Sequence, residues 1–180
     1  GGGIKEGVTI SIANIGTSSD PGVSGTTLVG NTETGTILNL TGTEYNTNTA
    51  TYTASSGEHI NLNGEATTTF NTSSDGITFG TSTIEMGNGS NLVVDTSTGT
   101  GAINILGGVM GTSSETITLS AGTGDVAIGA VGTGTEVADV SITTTGTTTF
   151  HGDFTGGALT NTGNVVIAED ITIGTGAVTF

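Results

Sequence analysis

Two histidines, His59 and His151, come nearest to catalysis in residue type and setting. Each stands close to an acid, in Glu58-His59 and in His151-Gly152-Asp153. A base beside an orienting carboxylate is what activation of a serine or threonine hydroxyl requires. Hydroxyls are so abundant here, however, that one lies near any histidine by composition alone, and there is no Gly-x-Ser-x-Gly elbow. Exposed turn histidines are the better reading, so the chain is read as non-enzymatic, with no catalytic and no cofactor-binding residue. Glu169-Asp170 is a carboxylate pair of the kind that glycoside hydrolysis uses. Adjacent strand residues point to opposite faces, which argues against that chemistry.

Calcium is the other chemistry within reach. Gly122-Thr123-Gly124-Asp125-Val126 resembles part of the calcium-binding Gly-Gly-x-Gly-x-Asp-x repeat, but it lacks the double glycine and does not recur in tandem. A structural turn aspartate is the plainer reading. Calcium takes oxygen ligands, so Asp125, Asp153, Glu169 and Asp170 are the candidate metal ligands, and no other cofactor is expected. Lys5, the only amine side chain, invites the idea of an isopeptide bond to Asn or Asp, with nothing beyond its uniqueness to support it. The threonines of Thr143 to Thr149 are similar to the Thr-x-Thr ladders of ice-binding solenoids. Ice binders keep that motif at one point of every coil, whereas the repeated units here vary at the corresponding position. Threonine as a strand former and outward-facing polar residue accounts for the pattern.

The elements that would position these residues are short strands. One unit returns along the chain: apolar, any residue, apolar. It reads Ile10-Ser11-Ile12, Ile60-Asn61-Leu62, Ile77-Thr78-Phe79, Ile84-Glu85-Met86 and Ile103-Asn104-Ile105, then Ile117-Thr118-Leu119, Val126-Ala127-Ile128, Val140-Ser141-Ile142, Ile171-Thr172-Ile173 and Val178-Thr179-Phe180. Period-two alternation places both apolar side chains on one face and the middle residue on the other. Glycine-bearing turns separate the units at Gly87-Asn88-Gly89, Gly122-Thr123-Gly124, Gly132-Thr133-Gly134 and Gly174-Thr175-Gly176. If three strands make a coil, each coil takes about 20–30 residues, within the range of stacked-repeat folds. Residues 56 to 180 would then hold roughly four to six coils at about 4.8 Å each.

All five phenylalanines close a short strand: Phe70, Phe79, Phe150, Phe154 and Phe180. Thr67-Thr68-Thr69-Phe70 and Thr147-Thr148-Thr149-Phe150 are near copies, so aromatics at equivalent coil positions are expected to stack into an internal ladder. The first 55 residues are less regular. Val8 to Ile12 and Thr36 to Leu40 read as strands, Asp20-Pro21-Gly22 as a turn, and the asparagine-rich stretch Thr41 to Ser56 as a loop or weakly apolar edge. The chain therefore divides into an N-terminal cap or donor-strand segment, 1–55, and a β-solenoid, 56–180. A β-sandwich or jelly roll completed by a donated N-terminal strand is the competing fold.

Composition bounds the function. Glycine (33 residues) and threonine (41) make up about two-fifths of the 180-residue chain, which favours many short strands joined by tight turns over helices. Sixteen acids against a single Lys or Arg give a net charge of −15. Phosphate recognition needs lysine and arginine, so nucleic-acid partners and anionic lipid are excluded. No cysteine is present, hence neither a disulfide framework nor a thiolate metal site. No apolar run approaches the roughly 18–20 residues of a membrane helix. The opening Gly1-Gly2-Gly3, without initiator methionine or signal peptide, reads as a processed form or a fragment of something longer.

From Glu115 to Phe180 the sequence resembles a known class. "ITLSAGTGDVAIGAVGTGTEV", "VSITTTGTTTFHGDFTGGALTNTGNVVI" and "ITIGTGAVTF" are similar to the repeats of giant bacterial β-strand-repeat surface proteins of the filamentous-haemagglutinin-adhesin type. The likeness covers about 65 residues well, weakens back to about residue 56 and is absent before that. It implies an all-β, right-handed parallel β-helix that is exported and used for adhesion or as filament material. It carries no catalytic motif. The expected function is a structural subunit or segment of an extracellular bacterial filament, sheath or adhesin stalk, self-assembling through strand edges, with copies of itself as partner. The alternatives are an adhesive module binding a glycan or another surface and, further off, an ice-binding β-solenoid.

Overall fold

The computed structural model describes residues 7–17, 24–62, 66–73, 75–112 and 114–180. Lys5 and the Asp20-Pro21-Gly22 turn lie outside the described residues. Alternation of β-branched and threonine residues produces strands of two to seven residues, and only near the C-terminal end do they lengthen to fourteen. They recur in order on three faces.

The first face stacks β1 (Thr9–Ile12), β3 (Ile37–Leu40), β6 (His59–Leu62), β9 (Thr83–Met86) and β12 (Val109–Met110). The second stacks β4 (Glu44–Thr47), β7 (Thr68–Thr72), β10 (Leu92–Asp95), β13 (Thr116–Gly122) and the first half of β15 (Val137–Phe150). The third stacks β2 (Thr26–Gly30), β5 (Thr49–Thr53), β8 (Ile77–Phe79), β11 (Ile103–Ile105), β14 (Val126–Ile128) and the second half of β15. β16 (Phe154–Ile167) lies over both halves of β15, and β17 (Ile171–Ile173) and β18 (Val178–Thr179) pair with β16.

Every ladder among the described residues is parallel, and the chain forms a β-solenoid of about six turns. The competing sandwich is thereby overturned, because sandwiches and jelly rolls pair antiparallel. A coil takes 22 residues between Asn39 and Asn61 and 25 between Asn46 and Asn71, within the expected range. Nine of the ten alternating triplets fall wholly on strands, and the tenth places Val178 and Thr179 on β18 with Phe180 just beyond it.

The pairing crosses residues 55 and 56 without a break, through β3 to β6, β4 to β7 and β5 to β8. The stretch 41–56 is not a loop: it holds β4 and β5. Its apolar content is low because β4 carries only Tyr45 beside Glu44, Asn46 and Thr47, and β5 only Ala50 and Tyr52 among threonines, yet Tyr45 and Tyr52 both point inward and are fully buried.

Inward columns form the core. Ile10, Leu38, Ile60, Ile84, Val109, Val131 and Phe154 stand one above another on the first face, and Tyr45, Phe70, Val94, Leu119 and Ile142 on the second. An aromatic ladder is present, but over four early residues and with both tyrosines in it. Tyr45 stacks on Phe70 at 4.9 Å and Tyr52 on Phe79 at 5.4 Å, the two pairs meeting edge to face. The near copies ending in Phe70 and Phe150 occupy different faces, because Phe70 lies on β7 and Phe150 pairs over Ile128 on the third. Phe154 opens β16 rather than closing a strand. Where coils turn most tightly, glycine is required. A Cβ on Gly132, at φ 73°, would stand 2.0 Å from the Thr155 carbonyl oxygen of the next coil.

Candidate functional site

The candidate calcium ligands occupy two different corners. Asp125 precedes β14, and its Oδ1 accepts a hydrogen bond from the Thr147 N–H of the next coil at 2.8 Å. Asp153 and Asp170 stand one coil apart at another corner, where Asp153 Oδ1 accepts from the Asp170 N–H at 3.3 Å and the Asp170 carbonyl accepts from the Phe154 N–H at 2.9 Å. Glu169 is exposed beside Asp170. Among the described residues no three His, Asp or Glu side chains come together as a metal-holding group. Asp125 and Asp153 each hold a backbone N–H of the following coil, the work of a turn aspartate.

The two histidines are not brought together. His59 lies on β6 beside Thr83, its Nδ1 buried without a partner, whereas exposed His151 follows β15 with its N–H bonded to the Ile128 carbonyl. The threonine array is divided by a corner within β15: Thr144 and Thr148 turn inward, while Thr143 and Thr145 face solvent. Outward positions of the third face run Leu28, Thr51, Thr78, Asn104, Ala127, Thr149 and Val166, which is not a uniform threonine rank.

Two sets of polar residues escaped the sequence reading. The first is the hydroxyls that lock the corners. Thr72 Oγ1 donates to the Asp75 carbonyl at 2.5 Å, Thr96 Oγ1 to the Gly101 carbonyl at 2.6 Å, and Ser82 Oγ to the Ala54 carbonyl at 2.9 Å. All three hydroxyl residues are buried, and each finds its acceptor in a backbone carbonyl at a corner. The second is Glu115, fully buried with no cation beside it. Burial alone would raise its pKa. The Thr112 hydroxyl and the N–H groups of Thr112 (2.6 Å), Ser114 (3.1 Å) and Gly89 (3.1 Å) all donate to its carboxylate, and the bonds from Thr112, from its own backbone N–H and from Gly89 outweigh that effect and hold it at about 2. Gly89 belongs to the coil below, so one carboxylate ties two coils together. The Thr112-x-x-Glu115 spacing, a side-chain acceptor three residues after a hydroxyl, is the signal that would have exposed it.

A cavity of about 270 Å³ opens where the second face turns into the third, lined by Asn46, Thr47, Asn71, Thr72, Asp95 and Thr98 among others. Asn46, Asn71 and Asp95 are in register on three successive strands, and Asn71 Nδ2 donates to Asn46 Oδ1 at 2.8 Å. None of these positions was singled out from the sequence, because polar outward residues on threonine-rich strands carry no local mark of a concavity.

Among the described residues no helix is long and apolar enough to cross a membrane. Compared with protein-family models, with curated proteins and with solved structures, the chain matches none.

Proposed function

We propose that this chain is a structural segment of an extracellular bacterial filament, sheath or adhesin stalk, assembling with copies of itself through its strand edges. The observation that carries the reading is the change in burial along one set of columns. Inward residues of the inner coils are shut off from water, whereas at the C-terminal edge Val178 is 42% and Phe180 58% exposed. Val178 continues the column of Ile117, Val140 and Leu159, all buried, so its exposure reflects an uncovered edge and not an outward-facing position. Among the described residues β17 and β18 pair on one side only, as do β1 and β2 at the other end. Parallel edges with apolar inward residues favour addition of further strands, whether from more of the same chain or from a second copy. Ile171 stands in the column that begins at Ile10, so a second copy stacked head to tail would continue that ladder with like on like.

Supporting features are the resemblance of residues 115–180 to β-strand-repeat surface proteins, the absence of cysteine, and the near absence of tryptic sites, which suits an exposed wall material. The role needs no cofactor and no catalytic group. Electron microscopy and sedimentation of the purified chain test it. The expected result is filaments that lengthen with concentration, and their loss in Ile173→Lys or Val178→Lys at unchanged β-type circular dichroism. A single compact monomer across a hundredfold concentration range overturns it.

A further inference from the structure

The outward surface of the third face carries an inference that does not rest on growth at the strand edges. Seven strand segments stack there, from β2 through β5, β8, β11 and β14 to the second halves of β15 and β16. None of these segments contains an Asp, Glu, Lys or Arg, although the chain carries a net charge of −15. The first face bears Glu85, and the second bears Glu44, Asp95 and Asp139. Exposed apolar side chains are distributed just as unevenly. Among the described residues, Val8, Ile167, Val178 and Phe180 belong to inward columns of the end coils. The exposed ones that point outward are Leu28 (75%), Val166 (49%) and Leu106 (48%). Leu28 and Val166 lie on the third face, and Leu106 stands at its border just past β11.

Charge selects the partner. A basic macromolecule would be drawn to the acid-bearing faces, whereas a second copy carries the same −15 and is repelled except where neither surface presents a carboxylate. Symmetry then fixes the pose. β11 is the fourth of the seven rows, so a two-fold axis along it sets each row against the row equally far beyond the centre. Leu106 then meets Leu106 of the second copy, and Leu28 meets Val166 at both ends, so all three outward apolar side chains gain an apolar neighbour. Asn104 meets Asn104, and each amide can donate to the other's carbonyl oxygen. Asp125, in the border column, falls opposite Gly76, and its Oδ1 already holds the Thr147 N–H. Asp125 and Asp75 approach one another at the rim, where both are exposed and salt screens them. Six strand spacings by about four residues give roughly 29 Å by 13 Å, about 400 Å² per copy and half a standard interface, hence a weak pair that multiplies along a filament. We propose that the third face docks a second copy of this chain back to back, with coil axes antiparallel, about a two-fold along β11.

The chain has no cysteine, so single cysteines and a short bismaleimide, reaching across sheets packed about 10 Å apart, read the pose. The full chain is treated at about 1 mM, suited to a weak pair, and covalent dimers are counted on a denaturing gel. That readout is the same for monomers and for filaments, because end-to-end stacking holds successive Asn104 positions a whole stack apart. Asn104→Cys should link to itself. Thr51→Cys alone should not, since the two-fold parts the two copies of that residue by four strand spacings, about 19 Å. Mixed with Thr149→Cys, it should link. Adding Ala127→Asp to Asn104→Cys puts a carboxylate into the face of each copy and should cut the linked fraction at least about tenfold, with unchanged β-type circular dichroism. Self-linking of Thr51→Cys, absence of either expected link, or equal linking with Ala127→Asp overturns the proposal.

Discussion

The inner coils and the last coil are written in the same alternating triplet, yet they differ in what the triplet achieves. Ile77-Thr78-Phe79 and Ile103-Asn104-Ile105 bury both apolar side chains almost completely, with ladders on either side. Val178-Thr179-Phe180 leaves both exposed. Alternation chooses which side chains face inward, and the coil above decides whether inward means buried. In a solenoid that neighbour is supplied by the next turn, so stability accumulates from contacts between coils rather than within strands.

The largest expected effect breaks this comparison at the aromatic ladder. Phe79→Ala removes a fully buried ring that stacks on Tyr52 and meets Phe70 edge-on, and should cost about 3–5 kcal/mol in urea unfolding. Phe180→Ala, the same substitution at the last coil, should stay within about 0.5 kcal/mol in the unassembled chain. A comparable loss at both positions would mean that the last coil is covered in solution.

Next in size is the carboxylate that ties two coils. Glu115→Ala leaves the N–H groups of Thr112, Ser114 and Gly89 without their acceptor and should cost about 2–4 kcal/mol. The same residue gives a pH signature. Its pKa falls from 4.5 in the unfolded chain to about 2 in the fold, so its stabilisation is complete above pH 4.5 and is lost as pH falls from there through about 2. Unfolding midpoints measured across that window should fall more steeply for the natural chain than for Glu115→Gln.

The smallest effect sharpens the distinction between corner and face. Thr96→Val keeps the shape but withdraws the hydroxyl from the Gly101 carbonyl, at a cost of about 1 kcal/mol. Thr118→Val, outward on a flat face, should be neutral by the same assay.

Much of the architecture was legible because it is local. Each of the ten triplets marks a strand, and their spacing gives the coil length. The early strands were hidden because Tyr45 and Tyr52 sit among polar residues, and nothing short of their stacking on Phe70 and Phe79 reveals them as core. The two Thr-Thr-Thr-Phe segments misled for the opposite reason: likeness in sequence did not place them on the same face. Nor could the candidate acids be sorted, since Asp125 is separated from Asp153 and Asp170 by the turning of the coil.

By itself, then, the sequence determined that short strands would alternate inward and outward, that glycine would turn them, and that the chain would carry a strong negative charge. Period-two geometry and net charge are properties of neighbouring residues and of composition. Only the tertiary structure decided that the pairing is parallel, and that Glu115 and Ser82 bond to the backbone of a neighbouring coil. Those outcomes depend on residues 22 to 28 positions apart being stacked within one strand spacing, a proximity that no local pattern encodes.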